Sequence, residues 1–247
     1  MLKISVVTPI LNCRDLVCDC LESVEQQDHT EIEHIIVDGG STDGTVDRVI
    51  GNKRSAGTVI SERDDGIYDA LKKGFAVAKG DVVGILHSDD RFYDSHTLSL
   101  VASAFYDEAV DYVYGDILMV RKSGRVGRYW RSGELKGGKI TRTQLPHPSI
   151  FLSKQLVNRI TPVFDASYEI AADLKQQLIF ANQLEARGRY LNKPLVRMRL
   201  GGTSTKSAFA YYRGWRESAR AWNEVNGKGG WVYVFKKLAS KVKGIRG

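Results

Sequence analysis

Asp89 and Asp90 stand side by side after the run Val82-Val83-Gly84-Ile85-Leu86-His87-Ser88. Adjacent carboxylates at the end of a buried strand repel each other unless a cation faces them. Hard oxygen donors of this kind suit Mg2+ or Mn2+, and Mg2+ is commonly shared between carboxylates and substrate phosphates. The bland alternative is a polar loop with a helix cap. The place of the pair, at the edge of the sheet where ligands collect, favours the metal. A second cluster is Val37-Asp38-Gly39-Gly40-Ser41-Thr42-Asp43-Gly44-Thr45. Asp38 can accept hydrogen bonds from a base or a sugar, glycines let backbone approach a ligand, and Ser41 can cap a helix. Taken alone, this is an ordinary strand-to-helix turn, and it lacks the GxGxxG of a dinucleotide site. A third cluster is Ser61-Glu62-Arg63-Asp64-Asp65-Gly66-Ile67-Tyr68-Asp69-Ala70. Acids favour helix N-termini, which accounts for Asp64 and Asp65. It accounts less well for Asp69 and Lys73, which follow at helical spacing on one face.

These clusters need elements to hold them. Strands are expected over residues 4–8, 33–38, 58–62, 82–87 and 112–117, with helices over 16–27, 66–78 and around 96–106. Ile67, Ala70, Leu71 and Phe75 fall on one helical face. Alternating strands and helices predict an α/β protein whose Rossmann-like, mostly parallel sheet is covered on both faces. Asp38, Glu62 and Asp89 then lie at the carboxyl ends of strands. Beyond residue 117 a hairpin is expected between 117–121 and 126–130. A glycine-rich stretch follows over 132–139, then an extended segment around Leu145-Pro146-His147-Pro148, a helix over 173–187 and a loop over 201–204.

The chain has 247 residues, 43% of them apolar and 26% charged, so a core can form and wholesale disorder is excluded. Three cysteines, Cys13, Cys18 and Cys20, argue against a disulfide framework or a structural zinc and fit a reducing cytosol. Thr8-Pro9 interrupts the start before a signal-peptide core can form, and no stretch nears the roughly 20 apolar residues of a bilayer span. The net charge of +7 admits anionic partners. Much of the excess lies in the tail, where Lys228, Lys236, Lys237, Lys241, Lys243 and Arg246 have no acid among them.

Jointly, the segments carry a resemblance. Ile4-Ser5-Val6-Val7-Thr8-Pro9-Ile10-Leu11-Asn12, Val37 to Thr45, Asp65-Gly66-Ile67-Tyr68-Asp69-Ala70, Lys79-Gly80-Asp81 and His87-Ser88-Asp89-Asp90 match family-2 glycosyltransferases of the GT-A fold in order and spacing, over about residues 2–205. The Gly-Ile-Tyr-Asp-Ala version resembles bacterial enzymes that build polysaccharides on lipid carriers, including those of the colanic acid type. The resemblance implies a GT-A domain over residues 1–205, with a nucleotide-sugar half (1–117) and an acceptor half (118–205), followed by a basic aromatic segment (206–247). It implies inverting transfer of a hexosyl or deoxyhexosyl unit from a nucleotide-diphosphate donor to a hydroxyl of a lipid-linked glycan, with Mg2+ or Mn2+. A non-catalytic polysaccharide or nucleic-acid binder on the same fold is the alternative.

The resemblance also assigns residues. Asp38 would contact the base, Pro9 and Asn12 would lie against the nucleotide, Asp89 would sit near the ribose and Asp90 would hold the metal. Asp65, Asp69, Lys73 and Ser88 complete the expected donor set, and His147 would border the donor sugar and acceptor. Many relatives have a second Asp where this chain has Gly39. Asp173, at the start of the 173–187 helix, would be the general base, with Glu169 the next candidate. In the tail, Phe209, Tyr211, Tyr212, Trp215, Trp222, Trp231, Tyr233 and Phe235 interleave with Arg213, Arg216, Arg220, Lys236 and Lys237. Residues 209–225 read equally as a packed helix or a membrane contact. Residues 229–247 are expected to meet an anionic membrane. The protein is therefore expected in the cytoplasm, peripheral at the inner face of a bacterial inner membrane, with no nucleic-acid partner.

Overall fold

The apolar runs of the N-terminal half pair side by side in a computed structural model that describes residues 1–52, 57–107, 109–201 and 208–243. The elements in order are β1 (Ile4–Ile10), α1 (Val17–Glu25), β2 (Ile32–Asp38), α2 (Thr45–Gly51), β3 (Thr58–Ser61), α3 (Ile67–Val77), β4 (Val82–Ile85), β5 (Arg91–Phe92), α4 (Thr97–Ala104), β6 (Tyr112–Val120), β7 (Val126–Trp130), β8 (Ile150–Ser153), α5 (Lys154–Arg159), α6 (Ala172–Leu178), β9 (Gly188–Arg199), α7 (Ala208–Asn226) and α8 (Gly230–Lys243). The described strands form one nine-stranded sheet in the order β3-β2-β1-β4-β8-β6-β9-β5, with β7 paired to β6. β3, β2, β1 and β4 are parallel, as expected for the nucleotide half. β8 runs antiparallel to both β4 and β6, and β6 is parallel to β9. β6 runs across residue 117, so the two halves share a sheet. The 201–204 loop beyond residue 201, and the boundary at 205, lie outside the described residues.

Side-chain alternation divides the core between the faces of the sheet. Val7, Ile35, Val37, Val83 and Ile85 pack with Leu71 and Phe75 of α3, Leu174 and Leu178 of α6, and Tyr233 and Val234 of α8. Ile4, Val6 and Val82 pack on the other side with Cys20 and Val24 of α1 and with Leu98 and Val101 of α4. Cys13 and Cys20 are buried and all three cysteines are free.

Besides the short β5, β8 and α5, which the sequence pattern did not mark, two elements differ from the sequence expectation. The helix expected over 173–187 ends at Leu178 and passes through a wider turn, Ile179–Gln183, into β9. β9 itself escaped notice because Pro194 sits inside it and Asn192 has φ +47°, features that weaken a strand pattern. Its register against β6 shifts there, and the ladder resumes beyond Pro194.

Gly74 lets α3 lie close on β1 and β2, because a Cβ at that position would overlap Val7 and press on Val37. Gly74→Ala gains about 1 kcal/mol of helix propensity, but overpacking a core costs about 1–3 kcal/mol. The expected outcome is a net loss of up to about 2 kcal/mol in thermal or urea unfolding; a more stable variant would show that α3 has room to move outward.

Candidate active site

The carboxyl ends of β1, β2 and β3 lie along one edge of the sheet, and their loops lock together there. Asn12 follows β1 in the left-handed region at φ +47°. Its backbone N–H donates to Ser41 Oγ at 2.9 Å, and its Oδ1 accepts the N–H of Thr42 at 2.9 Å. The N–H of Arg14 donates to Asp43 Oδ2 at 3.2 Å. Pro9 is buried within β1. Asp38 is fully buried, and its carboxylate accepts from the N–H groups of Gly40 and Ser41 and from Ser61 Oγ at 2.8 Å. Its oxygens thus shape the 39–41 turn.

Sequence reasoning read Asp64 as an acid favoured at a helix N-terminus; the structure turns it towards Gly39. A Cβ at Gly39 would overlap the Asp64 carboxylate, which therefore occupies the space that a side chain at 39 would enter. Asp65 is exposed, and its N–H donates to Asp69 Oδ2 at 3.4 Å. Lys73 bridges Asp69 at 3.1 Å and Glu62 at 2.9 Å and donates to the carbonyl of Arg63. Asp69 and Lys73 thus brace the loop, the role that their helical spacing alone had left open.

Beyond β4 the chain turns through His87, Ser88 and Asp89, all half-buried, to Asp90. Asp90, the residue assigned the metal on sequence, is 1% exposed and accepts the N–H of Arg199 at 3.0 Å. Burial, reinforced by the charge of Asp89, pushes its carboxyl well above the usual carboxylate range. It ties the loop to β9, inside the protein. Asp89, half-buried, is the member of the pair that reaches the surface. No group of three or more His, Cys, Asp or Glu side chains fit to hold a metal occurs among the described residues. That does not conflict with Mg2+ or Mn2+, which take one or two carboxylates and draw their other oxygens from phosphate and water.

The second half brings Asp173 and His147 to the same crevice. Asp173 is half-buried in the first turn of α6. Its Oδ2 accepts Gln144 Nε2 at 2.5 Å, and its Oδ1 accepts the N–H of Leu174 at 2.7 Å and the hydroxyl of Tyr68 at 3.5 Å. Tyr68 also donates to the carbonyl of Ile170 at 2.6 Å. Burial raises the Asp173 carboxyl, against the opposing charge of Lys237 on α8. The loop before α6 is gathered by Glu217 of α7, which accepts the N–H groups of Glu169, Ile170 and Ala171. Glu169 itself is 69% exposed and paired with Arg213. Tyr68, Gln144 and Glu217 were missed on sequence, although Tyr68 sits inside the Gly-Ile-Tyr-Asp-Ala segment; Lys237, expected to face a membrane with the rest of the tail, instead reaches inward to Gln144. His147 is 9% exposed, its ring 6.4 Å from that of His87 and edge-on to Phe164 at 5.7 Å. Its Nε2 has no hydrogen-bond partner among the described residues.

Parallel strands ending in interlocked loops, extended by antiparallel strands into the same sheet, define the GT-A fold. Solved structures agree on the fold. S. aureus TarS 1–349 in complex with UDP-GlcNAc superposes with a TM-score of 0.68 at 20% identity, covering 90% of this chain and 67% of that one. The mannosyltransferase PcManGT from Pyrobaculum calidifontis, in complex with GDP-Man and Mn2+, gives a TM-score of 0.65 at 18% identity over 96% of this chain and 69% of that one. Residues 5–164 match Glycosyl transferase family 2, and the chain belongs to that family. A PGL/p-HBAD biosynthesis glycosyltransferase of Mycobacterium tuberculosis is 31% identical over 173 residues, 68% of this chain. An uncharacterized glycosyltransferase of the same species is 32% identical over 175 residues, 69% of this chain. The chain spans 66% and 65% of the lengths of these relatives.

Burial pushes the imidazoles of both His87 and His147 down to about 4. In the unfolded chain each takes up its proton near pH 6.5. The folded state refuses it until about pH 4, so stability is complete above pH 6.5 and falls as pH drops towards 4. The urea midpoint should decline across that window, and His147→Asn should make the decline shallower. An unchanged slope in that variant would mean that His147 is already charged in the folded protein.

Proposed function

We propose that this protein is an inverting glycosyltransferase that moves a hexosyl or deoxyhexosyl unit from a nucleoside-diphosphate donor to a hydroxyl of a lipid-linked glycan in bacterial surface polysaccharide synthesis. The observation that carries the reading is Asp173: a half-buried carboxylate held by Gln144 and the N–H of Leu174, with His87 near it. In a single displacement the acceptor oxygen bonds to the anomeric carbon while the bond to the diphosphate breaks, and Asp173 takes the hydroxyl proton. The nucleotide would lie against the loops carrying Asn12, Asp64 and Asp65, and the TarS and PcManGT complexes with UDP-GlcNAc and GDP-Man support a donor of that class. The orphaned Nε2 of His147 is suited to a sugar hydroxyl, since a buried polar atom without a partner costs free energy until one arrives.

Asp89 would hold the divalent ion, and the Mn2+ in the PcManGT complex supports the use of such an ion. When bound, the ion stabilises charge developing on the leaving diphosphate. Asp90 keeps the loop in place. Asp89→Ala should abolish Mn2+-dependent binding of UDP and GDP, read by calorimetry, with the fold intact. Asp173→Asn should keep that binding and lose about 10²–10⁴-fold in turnover on a panel of UDP- and GDP-sugars. Binding of UDP or GDP to Asp89→Ala that still responds to Mn2+ would move the metal elsewhere; normal turnover of Asp173→Asn would remove the base.

The tail contributes the membrane side of the reading. No helix among the described residues is long and apolar enough to cross a membrane. α8 buries Tyr233 and Val234 against the domain, yet Trp231, Val232 and Phe235 are 47%, 55% and 68% exposed beside Lys236. Exposed aromatics with basic neighbours suit an anionic interface, where each Lys or Arg contributes about 1 kcal/mol. Replacing Trp231, Val232 and Phe235 together by Ser should reduce co-sedimentation with phosphatidylglycerol vesicles at low salt without lowering thermal stability. Equal co-sedimentation would leave this face without a membrane role.

A further inference from the structure

α8 does more than cover the core. It begins hard against α7: Gly230 donates its N–H to Asn223 Oδ1 at 2.9 Å, and a Cβ at Gly230 would overlap the carbonyl of Ala219. Trp222 of α7 stacks on Tyr233 with ring centroids 4.7 Å apart and planes at 14°. Tyr233 is 1% exposed, and Lys237 lies one turn further along the same face. That face points back into the domain. Lys237 Nζ donates to Gln144 Oε1 at 2.7 Å, and Gln144 Nε2 donates to Asp173 Oδ2 at 2.5 Å.

Building on the reading of Asp173 as the base, we infer that Lys237 is its positioning residue: through Gln144 it fixes the carboxylate, and it supplies the positive charge that this half-buried anion faces. The donor and acceptor chemistry makes the relay directional. A lysine ammonium has only donors and an ionised carboxylate only acceptors, so the amide between them has one orientation that satisfies both. Without the ammonium, the Gln144 amide can turn and present its oxygen to Asp173. The groups facing Asp173 are Tyr68 of α3, His87 after β4, Lys237 and Tyr233 of α8, and the N–H of Leu174; Glu217 of α7 acts on Tyr68. Both tyrosines are held neutral by burial. Lys237 is the largest counterweight to the burial that raises Asp173. Loss of its charge therefore makes Asp173 hold its proton to higher pH.

The test reads Asp173 directly. Carboxyl carbons of 13C-labelled aspartates are titrated by NMR in the full chain, with the Asp173 signal assigned by its absence in Asp173→Asn. Lys237→Met should raise the pH at which Asp173 titrates by about one unit, and Lys237→Arg should return it towards the wild-type value. Lys237→Gln, which can still hydrogen-bond to Gln144, should show the same rise and serves if the Met variant fails to fold. A wild-type titration in a folded, uncharged variant overturns the inference. Turnover of Asp173→Asn reports separately on the base: its persistence removes the catalytic reading while leaving the Lys237 titration result intact. With the base confirmed, the acidic limb of the kcat/KM profile should move with the NMR value, and UDP and GDP affinity should stay unchanged.

Discussion

β8 runs antiparallel to β4, with Val82 opposite Ser153 and Gly84 opposite Phe151, and this direction decides where chemistry can occur. An antiparallel neighbour brings its beginning to the end of its partner. The turn carrying His147, just before β8, therefore meets the His87–Asp90 loop, just after β4. A parallel β8 would have sent His147 to the far edge of the sheet. The close pairing depends on Gly84, because any side chain there would run into the Phe151 ring. The nucleotide loops and the acceptor side of the crevice are joined through this ladder.

Burial then separates carboxylates that look alike in the sequence. Asp90 is enclosed, held by one backbone N–H, and raised by burial and by the charge beside it. Asp173 is also raised by burial, but a hydroxyl, an amide, a backbone N–H and the charge of Lys237 surround it. An enclosed carboxyl with little support suits a structural tie, whereas one with several donors can exist as an anion and accept a proton. Asp38 is enclosed as well, with its oxygens spent on the turn that follows β2.

α8 joins these themes. Its inner face carries Tyr233, Val234 and Lys237, and its outer face carries Trp231, Val232 and Phe235. The composition of the tail, basic and aromatic without acids, does not say which residues face which way. A helix laid on α7 sorts them by its own periodicity. The basic charge of one lysine is thereby spent inside the domain, beside the proposed base, while its neighbour Lys236 stays outside.

The sequence by itself determined the parallel half of the sheet, because buried runs alternating with helical patterns have few other solutions. It also placed Asp38, Asp89 and Asp173 at element ends, since strand termini and helix starts are marked locally by turn residues and acids. β9 was hidden, because Pro194 and Asn192 break its pattern and its pairing with β6 is non-local. Only the tertiary structure decided which member of the Asp89–Asp90 pair is open, since adjacent residues on a turn differ in burial only through what packs around them. It also decided that Asp64 fills the space beside Gly39. Lys237 lies far from Gln144 and Asp173 along the chain, and no local pattern encodes their meeting; packing of α8 on α7 brings them together.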